Sequence, residues 1–568
     1  MRVKPAIALL IVCGIVGAAR IPMSRPALAQ QAPSVPPALL PDIRLQRLPT
    51  PEPGAPQPEI ERAVPAPGPP VPGAATVRFV LADIDIEGAT VYPPDILEQA
   101  FTSLRGTQVT LADIHRVAKE IERRYKDDGY FLTRAIVPTQ SVTDGRVRIV
   151  VLEGYVADVR IEGEVGGVES LLRSTLSIVT DQRPLRFSTL ERALLLADDI
   201  PGIAVSGVLR PSADRLGAAD LVVTATRAPF EAALLTDNFG DDYTGRWEIA
   251  ASVASNSWTP FGERIGVVGF VTDPTTDRNQ AVGQIGTSWH LGSGGLALDT
   301  VYSYGDSNPG SNIAAFDINS RTELIGAGLT YPLVRSRNLN LTGRLAFEAI
   351  NTDVDIFGNE TFSRDRLRTL IISATTDFRD ELGGANTIEA AVRRGLPVFG
   401  ATKRSDPQKS RPDGTSDATV LTGAVSRLQP LYDQFALYGI FAGQYAFTEL
   451  LANEEFELGG TQFGRGYFFD TLSGDSGIGG TAELRYTIPL QLSYLDRVQA
   501  FTFFEGGQVW NRNGGGDDSL CSTGVGFRLF PTEQLFFELQ MAKPLTLDSG
   551  RANGQRDPQV LFRAIGRL

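Results

Sequence analysis

Sixteen candidate strands near ten residues long, several of them alternating polar with apolar side chains, fill residues 228–568. They are 230–237, 247–255, 264–272, 280–291, 295–304, 322–333, 339–350, 365–379, 386–395, 418–428, 435–448, 478–489, 498–510, 522–531, 535–544 and 559–568. In 339–350, Leu341, Gly343, Leu345 and Phe347 interleave with Thr342, Arg344 and Glu348; in 535–544, Leu535, Phe537, Leu539 and Met541 interleave with Glu538 and Gln540. Successive side chains of a strand point to opposite faces, so such an alternating segment has an oily and a polar side. About ten residues is what a tilted strand needs to cross a bilayer. The connections alternate too: 292–294, 336–338 and 532–534 are short, whereas 306–321, 396–417 and 449–477 are long. Short turns at one rim and long loops at the other are the pattern of an antiparallel transmembrane barrel, and a soluble sandwich has no need of it. No segment after the N-terminus offers the roughly 18 apolar residues of a membrane helix. A membrane location therefore requires a closed barrel with a wet, charged lumen, because only helices and barrels satisfy every backbone group in lipid.

Residues 1–29 read as a secretory leader, with Arg2 and Lys4, an apolar run over 6–19 and the small-x-small site Ala27-Leu28-Ala29. The run is short for an anchor, and Val12 before Cys13 argues against a lipoprotein. Cleavage removes four cations and no acid, taking the formal charge from −13 to −17. So acidic a chain is a poor partner for nucleic acid. Only Cys521 then remains, which rules out an intrachain disulfide. Residues 30–75 are a linker with fourteen prolines between Pro33 and Pro72. Each proline lacks a donor, so the stretch is expected to be extended and unpacked, with 43–48 the one candidate for local order.

Residues 77–153 read strand, helix, helix, strand, strand. The first strand is 77–86, and Thr110 with Asp113 forms a capping box for a helix carrying Ile114, Val117, Ala118, Ile121 and Tyr125 on one face. Asp144-Gly145 marks a hairpin turn between 130–137 and 146–152. Residues 155–227 repeat that order, with a second capping box expected at Ser188 and Glu191.

The segment 459–486, GGTQFGRGYFFDTLSGDSGIGGTAELRY, sets Arg465 in a glycine-rich loop before a strand. In that strand Thr481, Glu483, Arg485 and Thr487 alternate with Ala482, Leu484, Tyr486 and Ile488. An arginine folded into a barrel must find an anion, and a carboxylate that grips it twice fixes the loop in one register. The other possibility is an arginine left outside in solvent or lipid. Catalytic sets do not emerge: the two histidines, His115 and His290, have no second imidazole or thiol nearby, and Gly464-x-Gly466 lacks a strand–helix context. The expectation is a chain that is not an enzyme and needs no cofactor or metal.

Together these parts resemble the two-partner secretion transporters of the outer membrane, the ShlB/FhaC/HecB haemolysin secretion/activation type (TpsB) of the POTRA-plus-barrel superfamily. Phe463-Gly464-Arg465-Gly466-Tyr467 is similar to that family's V-R-G-[YF] tip of the sixth outer loop, and Ser473–Gly477 and Glu483-Leu484-Arg485-Tyr486 follow as in the family. The resemblance implies α+β periplasmic POTRA domains at 76–154 and 155–227, then an all-β 16-stranded antiparallel barrel at 228–568 with loop 449–477 folded inward. It also implies that the loop motif Gly464, Arg465, Gly466 and Tyr467 faces a wall motif, F-x-D-x-G, matched here by Phe503, Glu505 and Gly507, with glutamate in place of aspartate. Family members often start with a plug helix, whereas Pro33, Pro36, Pro37 and Pro41 occupy that region here, and Leu568 stands where an aromatic is usual.

The function implied is recognition of a TpsA-type partner exoprotein, a β-helical haemolysin or adhesin, through the POTRA domains. Its unfolded chain then crosses the barrel of a single, ATP-independent transporter. Strand addition at 130–137 and 204–210 makes Tyr130, Leu132, Ile136, Val205 and Val208 candidate cargo contacts. A barrel-assembly factor is the alternative, although such factors usually carry more than two POTRA units. A passive porin or adhesin is a third, although it needs neither the POTRA units nor an inward loop.

Overall fold

The computed structural model describes residues 40, 41, 44, 60, 61 and 76–568, apart from 359, 462, 515 and 547–556. The leader expected at 1–29 lies outside the described residues.

The first α+β unit divides its expected opening strand in two, Arg78–Val80 and Asp83–Glu87, because Leu81 leaves the strand line to enter the core. Thr110 caps the helix Leu111–Asp127 through the Asp113 amide, and the Asp113 carboxylate answers the Thr110 amide. The buried helix face packs on Ile84, Val147 and Ile149. Asp83–Glu87 runs parallel to Arg146–Leu152, with Arg134–Ile136 antiparallel at the edge. The second unit has the same topology: Tyr155–Glu162 is parallel to Ala218–Arg227, and Ile203–Pro211 lies antiparallel on the far side. The expected second capping box does not form. The helix Phe187–Asp198 starts at Arg186 without a side-chain cap. Leu185 is drawn into the core and Phe187 packs edge-on against Phe131 at 5.5 Å, which places Ser188 already inside the first turn.

The linker is not wholly unpacked either. Leu40 joins an apolar cluster with Ile318, Val354 and Ala452, and Arg44 pairs with Glu348 at 3.2 Å, both on the inner side of the barrel. Ile60–Glu61 pairs in parallel with Gly207 and Val208, adding a strand to the second unit's edge. The described linker residues thus follow their apolar and charged side chains into contacts, despite the prolines around them.

Residues 230–567 close into a barrel of sixteen antiparallel strands in sequence order. The first, Phe230–Asp237, pairs with the last, Gln559–Arg567, from Ala233 opposite Arg567 to Asp237 opposite Arg563. Closure leaves no free sheet edge in lipid. The seventh and eighth strands, Leu339–Ile356 and Glu360–Arg379, run further than their apolar lengths advertise. Their extension is a polar hairpin on the long-loop side, with Asp353 and Arg366 paired at 2.8 Å. Val267, Ile325, Ile372, Phe441, Phe527 and Val560 are exposed on the outer wall.

The lumen is charged only in part. Strands twelve to sixteen turn charged groups inward, but Leu235, Ala250, Phe270, Val282, Leu324, Ile350 and Leu367 form an apolar arc on strands one to four and six to eight. Those strands carry apolar residues on both parities, as in Arg264–Thr272, so alternation alone did not reveal the inner face. The second unit docks on the short-turn rim. Arg335 grips Asp199 with two contacts, at 2.7 and 2.8 Å, and Arg192 donates to the Pro332 carbonyl at 3.0 Å.

Val267 lies mid-strand on the outer wall. Val267→Arg is expected to lower stability in phospholipid vesicles by about 2–4 kcal/mol, measured by urea titration. Unchanged stability would place that face outside the lipid.

Candidate functional site: a loop arginine held against the inner wall

The sixth long loop leaves the eleventh strand, Phe435–Ala446, and returns in the twelfth, Ser476–Leu492. A two-strand stem, Phe456–Leu458 against Leu472–Gly474, narrows it, and the tip then dips into the lumen. The tip needs glycine. Gly464 has φ +135°, and a Cβ there would sit 2.8 Å from Leu520. The wall needs it as well: a Cβ on Gly477 or Gly479 would strike the rings of Phe456 and Phe463, and one on Gly507 would strike Leu458. Phe463 fills the space so cleared, packing with Leu458, Leu472, Val509 and Leu520.

Arg465 is buried at the end of this tip. Its Nε lies 3.0 Å from Glu505 Oε2, and its Nη1 lies 3.3 Å from Glu483 Oε2 and 3.2 Å from Gln540 Oε1. The guanidinium stacks 3.6 Å from the Phe503 ring centroid. Glu505 also accepts the backbone N–H of Gly464, at 3.1 Å, and that of Arg465, while Ser522 donates to it at 2.8 Å. One carboxylate thus holds both the backbone and the side chain of the loop tip. Glutamate in place of aspartate thus still serves: Oε2 takes the guanidinium and Oε1 takes the two amides. Gly466 is held by Gln559, which donates to its carbonyl at 2.8 Å, and the Tyr467 hydroxyl donates toward the Thr546 carbonyl at 2.7 Å. Every member of the expected loop and wall motifs, Gly464, Arg465, Gly466, Tyr467, Phe503, Glu505 and Gly507, is therefore in one place.

The site is larger than the motifs. Arg528 bonds Glu483 at 2.6 Å and Glu538 at 2.6 Å, and Arg485 bonds Glu483 at 2.7 Å. Three guanidiniums and three carboxylates balance, which is the condition for keeping them buried. Glu483 is the hub, meeting all three arginines. Arg528 and Glu538 lie outside both motifs. Inward parity beside the outward Phe527 and Leu529 was the available signal for Arg528.

The candidate cargo contacts do not stand together. Tyr130 belongs to the first unit's core, where Arg186 donates to its hydroxyl at 3.0 Å, and Val205 belongs to the second unit's core. Leu132 is half-buried against the second unit's core. Val208 faces Glu61 across the added linker strand. Ile136 alone is exposed, on the edge strand Arg134–Ile136. Aromatic and β-branched residues in short α+β units serve their own cores first.

A family profile described as "Haemolysin secretion/activation protein ShlB/FhaC/HecB" matches residues 217–529, more than half of the chain, and one described as "POTRA domain, ShlB-type" matches 79–154. This chain belongs to the ShlB/FhaC/HecB family. It is similar to the heme/hemopexin transporter protein HuxB of Haemophilus influenzae, 22% identical over 79% of this chain and 80% of that protein. It is also similar to the hemolysin transporter protein HpmB of Proteus mirabilis, 24% identical with the same coverage. The fold is that of CdiB from Escherichia coli, at TM-score 0.72 and 20% identity over 94% of each chain. Members are outer-membrane transporters, not enzymes, with POTRA domains in the periplasm. The short-turn rim, where the second unit docks, is thus the periplasmic rim, and the long loops face outward.

Glu483→Gln removes the hub charge and strands part of three cations. It is expected to cost about 3–5 kcal/mol, read from the midpoint of heat-induced unfolding in detergent. Arg528→Gln added to it is expected to recover part of the loss. A midpoint unmoved by Glu483→Gln would mean that the lumen solvates these charges.

Proposed function

We propose that this protein exports a partner exoprotein of the TpsA type. Its POTRA domains receive the partner unfolded, and the chain crosses the barrel once loop six withdraws. The observation that carries this reading is the glutamate-held arginine tip inside the lumen. A porin gains nothing from filling its lumen with a stem and a buried ion-pair network, whereas a conduit for an occasional cargo needs a closed resting state. The edge strand Arg134–Ile136 is the favoured site for strand addition, once Glu122 releases the Ala135 N–H that it holds at 3.0 Å, because the Ile203–Pro211 edge already carries Ile60–Glu61 at Gly207 and Val208. A partner using the second edge must displace the linker. Folding of the partner outside supplies direction without ATP, and a β-helical product suits that role because each formed rung templates the next.

The test is export of the protein encoded beside this gene in cells carrying Arg465→Ala. Export is expected to fall below a few per cent while the barrel still inserts and keeps its heat-modifiable migration. Undiminished export would remove loop six from the mechanism. Broad loss of outer-membrane proteins on depletion would instead favour an assembly factor.

A further inference from the structure

Loop six is anchored a second time, at its base. Asp475 is wholly buried where the loop rejoins the barrel. Its carboxylate accepts the backbone N–H of Leu450 at 2.8 Å and that of Arg512 at 2.9 Å. Its charge is met by Arg411, which comes from the preceding outer loop. The Arg411 guanidinium also lies 2.9 Å from Glu455 and donates to the Leu450 carbonyl at 2.9 Å and to Asn511 Oδ1 at 3.2 Å. Asn511 belongs to the next outer loop, and its Oδ1 accepts the Asp475 amide as well. Backbone contacts run alongside: Thr415 N–H to the Glu449 carbonyl at 3.0 Å, and Ala452 N–H to Ser410 Oγ at 3.0 Å. Burial disfavours the Arg411 charge, but the carboxylates of Glu455 and Asp475 outweigh it and hold the guanidinium protonated.

We propose that Arg411 is a positioning residue for the loop-six tip: it ties outer loops five, six and seven at Asp475, and the outer mouth opens when that knot parts. The tip and the base lie on one tether, so clamping the base keeps Arg465 at high effective concentration near Glu505. Releasing the base weakens the tip contact without touching it. This deepens the transport reading above. Because it is read with no partner present, its failure and the failure of that reading are distinguishable.

The experiment is single-channel recording of the purified full-length chain in planar bilayers. Arg411→Gln is expected to raise the frequency of large-conductance openings at least about tenfold, part of the roughly 10²–10⁴-fold that loss of a whole tether can cost. Asp475→Asn is expected to match it, the double variant to add little further, and Arg411→Lys, which keeps the charge, to fall back toward the parent. Parent-like traces from a correctly folded Arg411→Gln barrel would overturn the proposal. If Arg411→Gln fails to fold, Ser410→Cys with Ala452→Cys, on a Cys521→Ser background, replaces it. The oxidised staple is then expected to suppress openings and a reductant to restore them, and equal traces in both states would overturn the proposal.

Discussion

A guanidinium taken from water into a barrel lumen cannot stand alone; without a partner it costs more than a small loop can supply. Arg465 meets that condition through Glu505 and Glu483, and the rest of the site follows from it. Glu483 draws in Arg485 and Arg528, Arg528 draws in Glu538, and the set ends neutral. A neutral set is self-limiting, because pulling one cation away leaves a carboxylate exposed to the others' absence. The loop is therefore held in one register by a charge count as much as by contacts.

The lumen has two characters, and they suit two tasks. The charged arc of strands twelve to sixteen grips the loop tip, while the apolar arc of strands one to four and six to eight takes Leu451 at the loop's base. Leu40 and Arg44 bring part of the linker to the same interior. Further along, Ile60–Glu61 lies on the POTRA edge. One stretch of chain thus touches both the barrel interior and the second POTRA unit. That gives the linker a structural purpose beyond spacing.

The barrel was legible in the sequence because lipid enforces period two on strands such as 535–544, and because turn lengths differ at the two rims. Where lipid does not select, legibility fell. The hairpin beyond residue 350 carries no apolar stripe on its outward parity, where Asn351, Asp353 and Asp355 stand, so its length was missed. The luminal side of Arg264–Thr272 is as apolar as its lipid side, so the alternation there says little about content. The site was legible at 463–467, where glycines flank Arg465, and at 503–507, where they follow Glu505, because both stretches resemble family motifs. Arg528 was missed because its partners come from three other strands, twelve, thirteen and fifteen, and only the pairing register of those strands brings them together. The cargo surface was the least legible. Tyr130 and Val205 have the composition of a sticky edge, but burial claimed them. Tyr130 precedes the edge strand, which is only Arg134–Ile136, and Val205 lies on the buried parity of Ile203–Pro211, a face that period two alone does not identify as the core.

The central claim is that the loop-six tip rests inside the lumen against strands thirteen and fourteen. A Cβ on Gly479, in the twelfth strand beside them, would lie 3.1 Å from the Cβ of Phe463 in the tip, with only the Phe463 ring nearer, so cysteines at those two positions, with Cys521→Ser, report on it directly. The account predicts that they join spontaneously in native outer membranes and resist a membrane-impermeant maleimide. Free thiols at both positions, labelled from outside the cell, would contradict it.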